Sequence, residues 1–108
     1  MKEIALKRLL PIAMLLPLAA HAADYTLEIR DHRFQPAELT IPSGTKVRLT
    51  VENRDDTPEE FDSYSLNREK VISGRGTATI FIGPLAPGRY PFIGEFHEAT
   101  AQGAIIAQ

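Results

Sequence analysis

Strict alternation of apolar and polar residues recurs along the chain in short stretches. Tyr25-Thr26-Leu27-Glu28-Ile29-Arg30 has the two-residue period of a half-buried strand. Glu38-Leu39-Thr40-Ile41 repeats it and stops at the turn signal Pro42-Ser43-Gly44. Lys46 to Asn53 is the cleanest case: Val47, Leu49 and Val51 face inward, and Lys46, Arg48, Thr50 and Glu52 face out. Thr77 to Ile82 alternates again, with Ala78, Ile80 and Ile82 on one face, and Tyr90–Ile93 and Gly103–Ala107 supply the last strands. Phe34 reads as an apolar anchor in a turn, with Pro36 breaking pairing after it. From Phe61 to Ile72 the pattern is ambiguous: Leu66 to Lys70 spells a helical turn, followed by a short strand at Val71-Ile72. Short strands between Gly/Pro turns predict an all-β, Greek-key antiparallel β-sandwich. Leu85-Ala86-Pro87-Gly88-Arg89-Tyr90 fits a tyrosine corner, in which the phenol hydroxyl bonds back to upstream backbone.

The first 22 residues stand apart from this pattern. Lys2, Lys7 and Arg8 precede an apolar run from Leu9 to Ala20, and Ala20-His21-Ala22 is an A-x-A cleavage site. This is the form of a secretory signal peptide, 1–22, too short for a spanning helix. Cleavage leaves one domain, 23–108, which is 86 of the 108 residues. The expected location is the periplasm.

Composition narrows the chemistry. There is no cysteine, which excludes thiol redox chemistry, Cys-type zinc sites, iron–sulfur clusters and c-type haem attachment. Met1 and Met14 both fall in the signal, so the exported domain carries no sulfur and is a poor host for Cu(I). Setting aside Lys2, Lys7, Arg8 and Glu3 leaves nine basic and thirteen acidic residues. The bases are scattered and the acids concentrate at Asp55 to Asp62, so no nucleic-acid partner is expected. Cations or a basic protein surface suit this charge better.

The stretch Leu85–Gly103, LAPGRYPFIGEFHEATAQG, carries the most chemistry. Pro87, Gly88, Tyr90, Phe92 and His97 match the ligand-bearing end of cupredoxins, P-G-x-Y-x-F-x-C-x-x-H. Gly94 stands at the place of the thiolate, and Thr100 near that of the Met. With Thr57 to Ser63, Leu66 to Lys70 and Gly83-Pro84-Leu85, the chain resembles the cupredoxin-like superfamily. It is most similar to the cysteine-less cupredoxin-like proteins found with bacterial periplasmic ferrous-iron permease systems. The resemblance implies that Glu59, after Pro58, takes the place of the first His ligand and His97 that of the second. A type 1 (blue) site needs a His₂Cys set, so none is expected here.

What remains is a His-plus-carboxylate set. One loop end can bring Glu59 or Glu60 beside Glu95, His97 and Glu98, and such donors suit iron or Cu(II). In an extended backbone Glu59 and Glu60 point to opposite faces. Carboxylates favour Fe(III), so assistance to Fe(II) oxidation or electron transfer is one expectation. The competing reading is a His97 bonded to backbone, with solvated glutamates. Asp55, Asp56 and Asp62 lack calcium-loop spacing and read as a solvated acidic loop. His32, far in sequence, reads as a surface residue or a structural bond.

Three functions follow. The first is a metal-binding accessory of ferrous-iron uptake, whose partners are a membrane iron permease or a periplasmic iron-binding protein. The second is a metal-free module that docks the same partners. The third, a self-contained ferroxidase, is disfavoured, because oxygen reduction at one weakly ligated ion is chemically hard. Free sheet edges leave room for a homodimer.

Overall fold

The computed structural model describes residues Ala23–Gln108; the expected signal peptide, 1–22, lies outside the described residues. The strands are β1 Ala23–Arg30, β2 Arg33–Gln35, β3 Glu38–Ile41, β4 Val47–Asn53, β5 Glu59–Ser63, β6 Arg68–Ile72, β7 Thr77–Ile82, β8 Gly88–Gly94 and β9 Gln102–Ala107. A 3₁₀ turn, Glu95–His97, follows β8.

Two sheets form the sandwich. One has the order β2-β1-β4-β7 and the other β3-β9-β8-β5-β6. The inward residues follow the alternation. Leu27, Ile29, Val47, Leu49, Val51, Ile80 and Ile82 from the first sheet meet Ile41, Phe61, Ile72, Phe92, Ile105 and Ala107 from the second, all buried. Each such large side chain contributes roughly 1.5–3 kcal/mol when removed from water. Within the first sheet Tyr25, Leu49 and Ile80 lie side by side across β1, β4 and β7. Phe34, Phe61 and Phe92 form an aromatic floor, with Phe34 edge-on to both others at centroid distances of 6.1 and 4.9 Å.

Both sheets are mixed. β1 runs parallel to β4 and β3 parallel to β9, while the other pairs are antiparallel. Alternation fixes which face a side chain takes and says nothing of strand direction, which comes from chain crossings between the sheets.

The ambiguous stretch Phe61 to Ile72 is a hairpin, not a helical turn. Glu59 to Ser63 pairs residue by residue with Ile72 back to Arg68. Leu66 is the one buried apolar residue of the connection, whereas Tyr64 is fully exposed. Its N–H donates to Ser63 Oγ at 3.2 Å, and Asn67 takes a left-handed φ of 55° to re-enter the sheet. A lone inward Leu cannot support a helical face, whereas Phe61 and Ile72 both reach the core as strand residues.

The tyrosine corner is present: Tyr90 Oη donates to Ala86 O at 2.8 Å. Tyr90→Phe should destabilise the protein by about 1 kcal/mol, the net worth of one such bond. Urea unfolding checks it, and an unchanged midpoint would mean that the hydroxyl only meets solvent.

Candidate metal centre

One end of the sandwich gathers the start of β5, the end of β8 with its 3₁₀ turn, the β1–β2 turn and the loop after β4. Glu59 opens β5 and points inward, 1% exposed, whereas Glu60 points the other way. A buried carboxylate requires partners. Glu59 Oε1 accepts the N–H groups of Glu60 at 3.0 Å and Phe96 at 2.9 Å. Its Oε2 lies 2.6 Å from His97 Nδ1. The carboxylate therefore caps the 3₁₀ turn and fixes the imidazole that this turn carries. The turn is closed from behind by Ala101 N–H, which donates to His97 O at 2.8 Å.

Gly94 explains how the carboxylate fits. A Cβ placed there would lie 2.6 Å from Ala101 Cβ, 2.7 Å from Glu59 Cδ and 2.9 Å from Glu59 Oε2. The Glu59 head group occupies the room that a side chain at position 94 would need. A copper–thiolate site does not fit these residues: the sulfur is missing and its space is filled.

His32 belongs to this end, contrary to its reading as a separate surface or structural residue. Its ring stacks on that of His97, with centroids 3.6 Å apart and planes 8° from parallel. Among the described residues, His32, Glu59 and His97 form a group whose ligand atoms lie within 4.8 Å of one another. His32 sits 27 positions before Glu59 and 65 before His97. Three things bring it in: the parallel β1–β4 register, which sets Ile29 beside Asn53; the bond from Arg54 N–H to Ile29 O at 2.8 Å; and the two-residue turn between β1 and β2. The sequence reading placed Phe34 in a turn; in the structure Arg33–Gln35 is a strand, and Asp31-His32 is the tip of its hairpin with β1.

Asp55 is likewise more than a solvated loop acid. Its Oδ1 accepts Asp31 N–H at 2.8 Å and its Oδ2 accepts His32 N–H at 2.9 Å. Burial works to raise its pKa, yet the two N–H bonds and the neighbouring imidazoles hold it below the usual carboxylate range. Asp55 is itself anchored by its N–H to Asn53 Oδ1 at 3.0 Å. Asn53 is buried, and its amide donates to the carbonyls of Thr57, Ile72 and Ser73.

The remaining glutamates read as donors lie outside this group. Glu60 and Glu95 join Asp62 in a separate acidic patch on the outer face. The hydrogen bond that its protonated carboxyl gives to Asp62, then the charge of Glu60, pushes the Glu95 carboxyl above its ordinary value. Partial desolvation, then Glu69 and Asp62, does the same to Glu60. Glu98 is exposed just past the 3₁₀ turn. A carboxyl whose pKa is raised by folding favours the folded state at low pH, and that contribution is lost as pH rises through the raised value. Asp62→Asn should therefore raise the thermal midpoint at neutral pH, with the gain shrinking as pH falls toward the ordinary carboxylate range. A gain that is the same at both pH values would contradict this.

Comparison with known proteins agrees with the architecture. The sequence profile of a family described as a cupredoxin-like domain matches residues 6–107. A protein of Rickettsia prowazekii (strain Madrid E), "Uncharacterized protein RP394", is 46% identical over 83 residues, which is 77% of this chain and 66% of that relative's length. Auracyanin A, a "blue" copper protein of Chloroflexus aurantiacus, superposes with a TM-score of 0.70 at 14% identity, over 82% of this chain and 100% of that one. A purple cupredoxin from Nitrosopumilus maritimus gives a TM-score of 0.61 at 19% identity, over 77% and 98% of the two chains. At such identities these two structures establish the fold alone.

Proposed function

The chain belongs to the cupredoxin-like domain family, and from that premise we propose that it is a periplasmic metal-binding accessory of a ferrous-iron uptake system. It takes iron or Cu(II) as cargo at a non-blue centre built on Glu59 and His97. The observation that carries this reading is the buried Glu59 carboxylate 2.6 Å from His97 Nδ1, at the end of the sandwich where the resemblance places the ligands. A carboxylate oxygen and an imidazole nitrogen facing each other are both donors that a cation can bind once they are free of protons. The donors are nitrogen and oxygen, which suit iron, Cu(II) and zinc, and not Cu(I). The uptake role and the partners, a membrane iron permease or a periplasmic iron-binding protein, rest on the resemblance to the cysteine-less proteins of such systems. The same site would aid Fe(II) oxidation when the partner supplies the electron acceptor.

A second reading is a metal-free docking module. Two features favour it: the Glu59 carboxylate has hydrogen-bond partners within the chain at Glu60, Phe96 and His97, and Phe96 beside it is 49% exposed. Anaerobic calorimetric titration with Fe(II), and with Cu(II) in parallel, separates the two. The metal reading predicts saturable one-to-one binding that disappears in His97→Ala. Only weak, unsaturable association in the unaltered protein would leave the docking module.

A further inference from the structure

We propose that His32 is the third ligand of this centre and that Asp55 is its positioning residue, giving a two-imidazole, one-carboxylate set suited to a divalent first-row ion. The proposal rests on the metal reading above and names the donors and cargo class of that site.

The backbone at His32 is the first argument. Asp31 and His32 occupy the centre of the β1–β2 turn with φ of 54° and 57°. Asp31 is at home in this conformation, but His32 stands where such a turn takes glycine, and the left-handed region costs a residue with a Cβ roughly 1–2 kcal/mol. Non-glycine residues persist there when the surroundings over-determine them, and such strain gathers at functional sites. The surroundings here are the Asp55 carboxylate, which accepts both turn N–H groups and lies 3.4 Å from His32 Nδ1. A chain of hydrogen bonds thus runs from the buried Asn53 through Asp55 to the His32 backbone, fixing where its ring starts while leaving the ring free to turn.

Donor chemistry is the second argument. The ligand atoms of His32, Glu59 and His97 are already clustered. Two His and one carboxylate with open positions are the set of mononuclear Fe(II) sites, and imidazole equally suits Cu(II) and zinc. The extra carboxylates that would favour Fe(III) lie in the other patch. The cargo is accordingly divalent.

The stack is the third. Ring nitrogens present their lone pairs in the ring plane, so two parallel rings cannot aim at one ion as they stand. Glu59 and His97 are tied to each other, whereas the His32 side chain is 42% exposed against 28% for His97. His32 is the ring with room to turn, and metal entry should break the stack.

Zn(II) alone, titrated into the protein and followed by calorimetry and by NMR of the ring protons, tests this. Two variants remove the donor without unfolding the turn. His32→Gly accepts the left-handed backbone, and His32→Phe keeps an aromatic ring for the stack. Each should weaken Zn(II) binding on the order of 100-fold, and Asp55→Ala about tenfold, in the range expected when a supporting partner of a ligand is lost. In the unaltered protein the ring protons of both His32 and His97 should shift on loading. Wild-type affinity in both His32 variants, with binding lost in His97→Ala, would overturn the role of His32 and leave the metal reading standing. Tighter binding of Fe(III) supplied as citrate than of Fe(II) or Zn(II) would overturn the divalent assignment. No saturable binding by the unaltered protein would end both.

Discussion

Replacing Glu59 with alanine should destabilise the protein by about 2–4 kcal/mol, since hydrogen bonds to a charged acceptor are worth about 1.5–3 kcal/mol each. The reason is what the carboxylate holds. The Phe96 N–H and the His97 imidazole would each lose an acceptor in a place that water reaches poorly. The 3₁₀ turn would lose its cap, and a void would open beside Gly94. Glu59→Gln should be milder, about 1–2 kcal/mol, because its carbonyl oxygen still accepts hydrogen bonds. Yet Gln offers an ion no negative charge, so metal affinity should fall in Gln as in Ala. Urea unfolding of the two variants, with titrations alongside, separates these effects. An alanine variant within 1 kcal/mol of the parent would mean that the carboxylate is solvated and that the inward path described for it is mistaken.

Gly94→Cys should fail to restore a copper–thiolate centre and should destabilise the fold by about 1–3 kcal/mol, the range for overpacking a filled core. The new Cβ meets Ala101 Cβ at 2.6 Å and the Glu59 carboxyl carbon at 2.7 Å, and neither is a free side-chain end. If Glu59 is the obstacle, the two positions are coupled. Gly94→Cys in a Glu59→Ala background should then cost less than in the parent, by an interaction of about 1 kcal/mol or more. Part of the penalty stays, since Ala101 remains in contact. A double-mutant cycle on unfolding free energies, with a visible spectrum after Cu(II) addition, reads both claims. Strict additivity, or an intense thiolate-to-copper band in the single variant, would show that position 94 has room. The glycine at position 94 and the burial of Glu59 are on this account one structural feature.

The sandwich was largely legible because its strands have one solvated face. Val47, Leu49 and Val51 between Arg48, Thr50 and Glu52 could hardly be anything other than a half-buried strand. The Pro87-Gly88-Arg89-Tyr90 corner carried its own physical signature, and the bond from Tyr90 to Ala86 is there. Strand direction was not legible, since alternation is the same whichever way a neighbour runs; hence the parallel β1–β4 and β3–β9 pairs. The β5–β6 hairpin was obscured because β6 lies at a sheet edge, where Arg68, Glu69, Lys70 and Val71 are all exposed and show no period.

The site was half legible. Glu59 and His97 came forward through the resemblance, and the structure sets them in contact. Glu60, Glu95 and Glu98 were drawn in by nearness in sequence. The pleat turns Glu60 away from Glu59, and Asp62 draws Glu95 to the outer patch. The nearness of His32 and Asp55 to Glu59 and His97 was hidden for the opposite reason. Their contact joins residues 23 positions apart through backbone N–H groups, which leave no trace in side-chain pattern. The one hint was Asp31-His32 at a hairpin tip, where Asn-Gly would be the comfortable choice.

The most direct measurement is a crystal structure of the protein loaded with Cu(II). The account predicts one principal ion bound to a His97 nitrogen at about 2.0–2.1 Å, an ordinary metal–imidazole distance. Glu59 would lie beside it, and the His32–His97 stack would be opened. An ion on Glu60, Asp62 and Glu95 instead, with the Glu59–His97 bond and the ring stack intact, would contradict it.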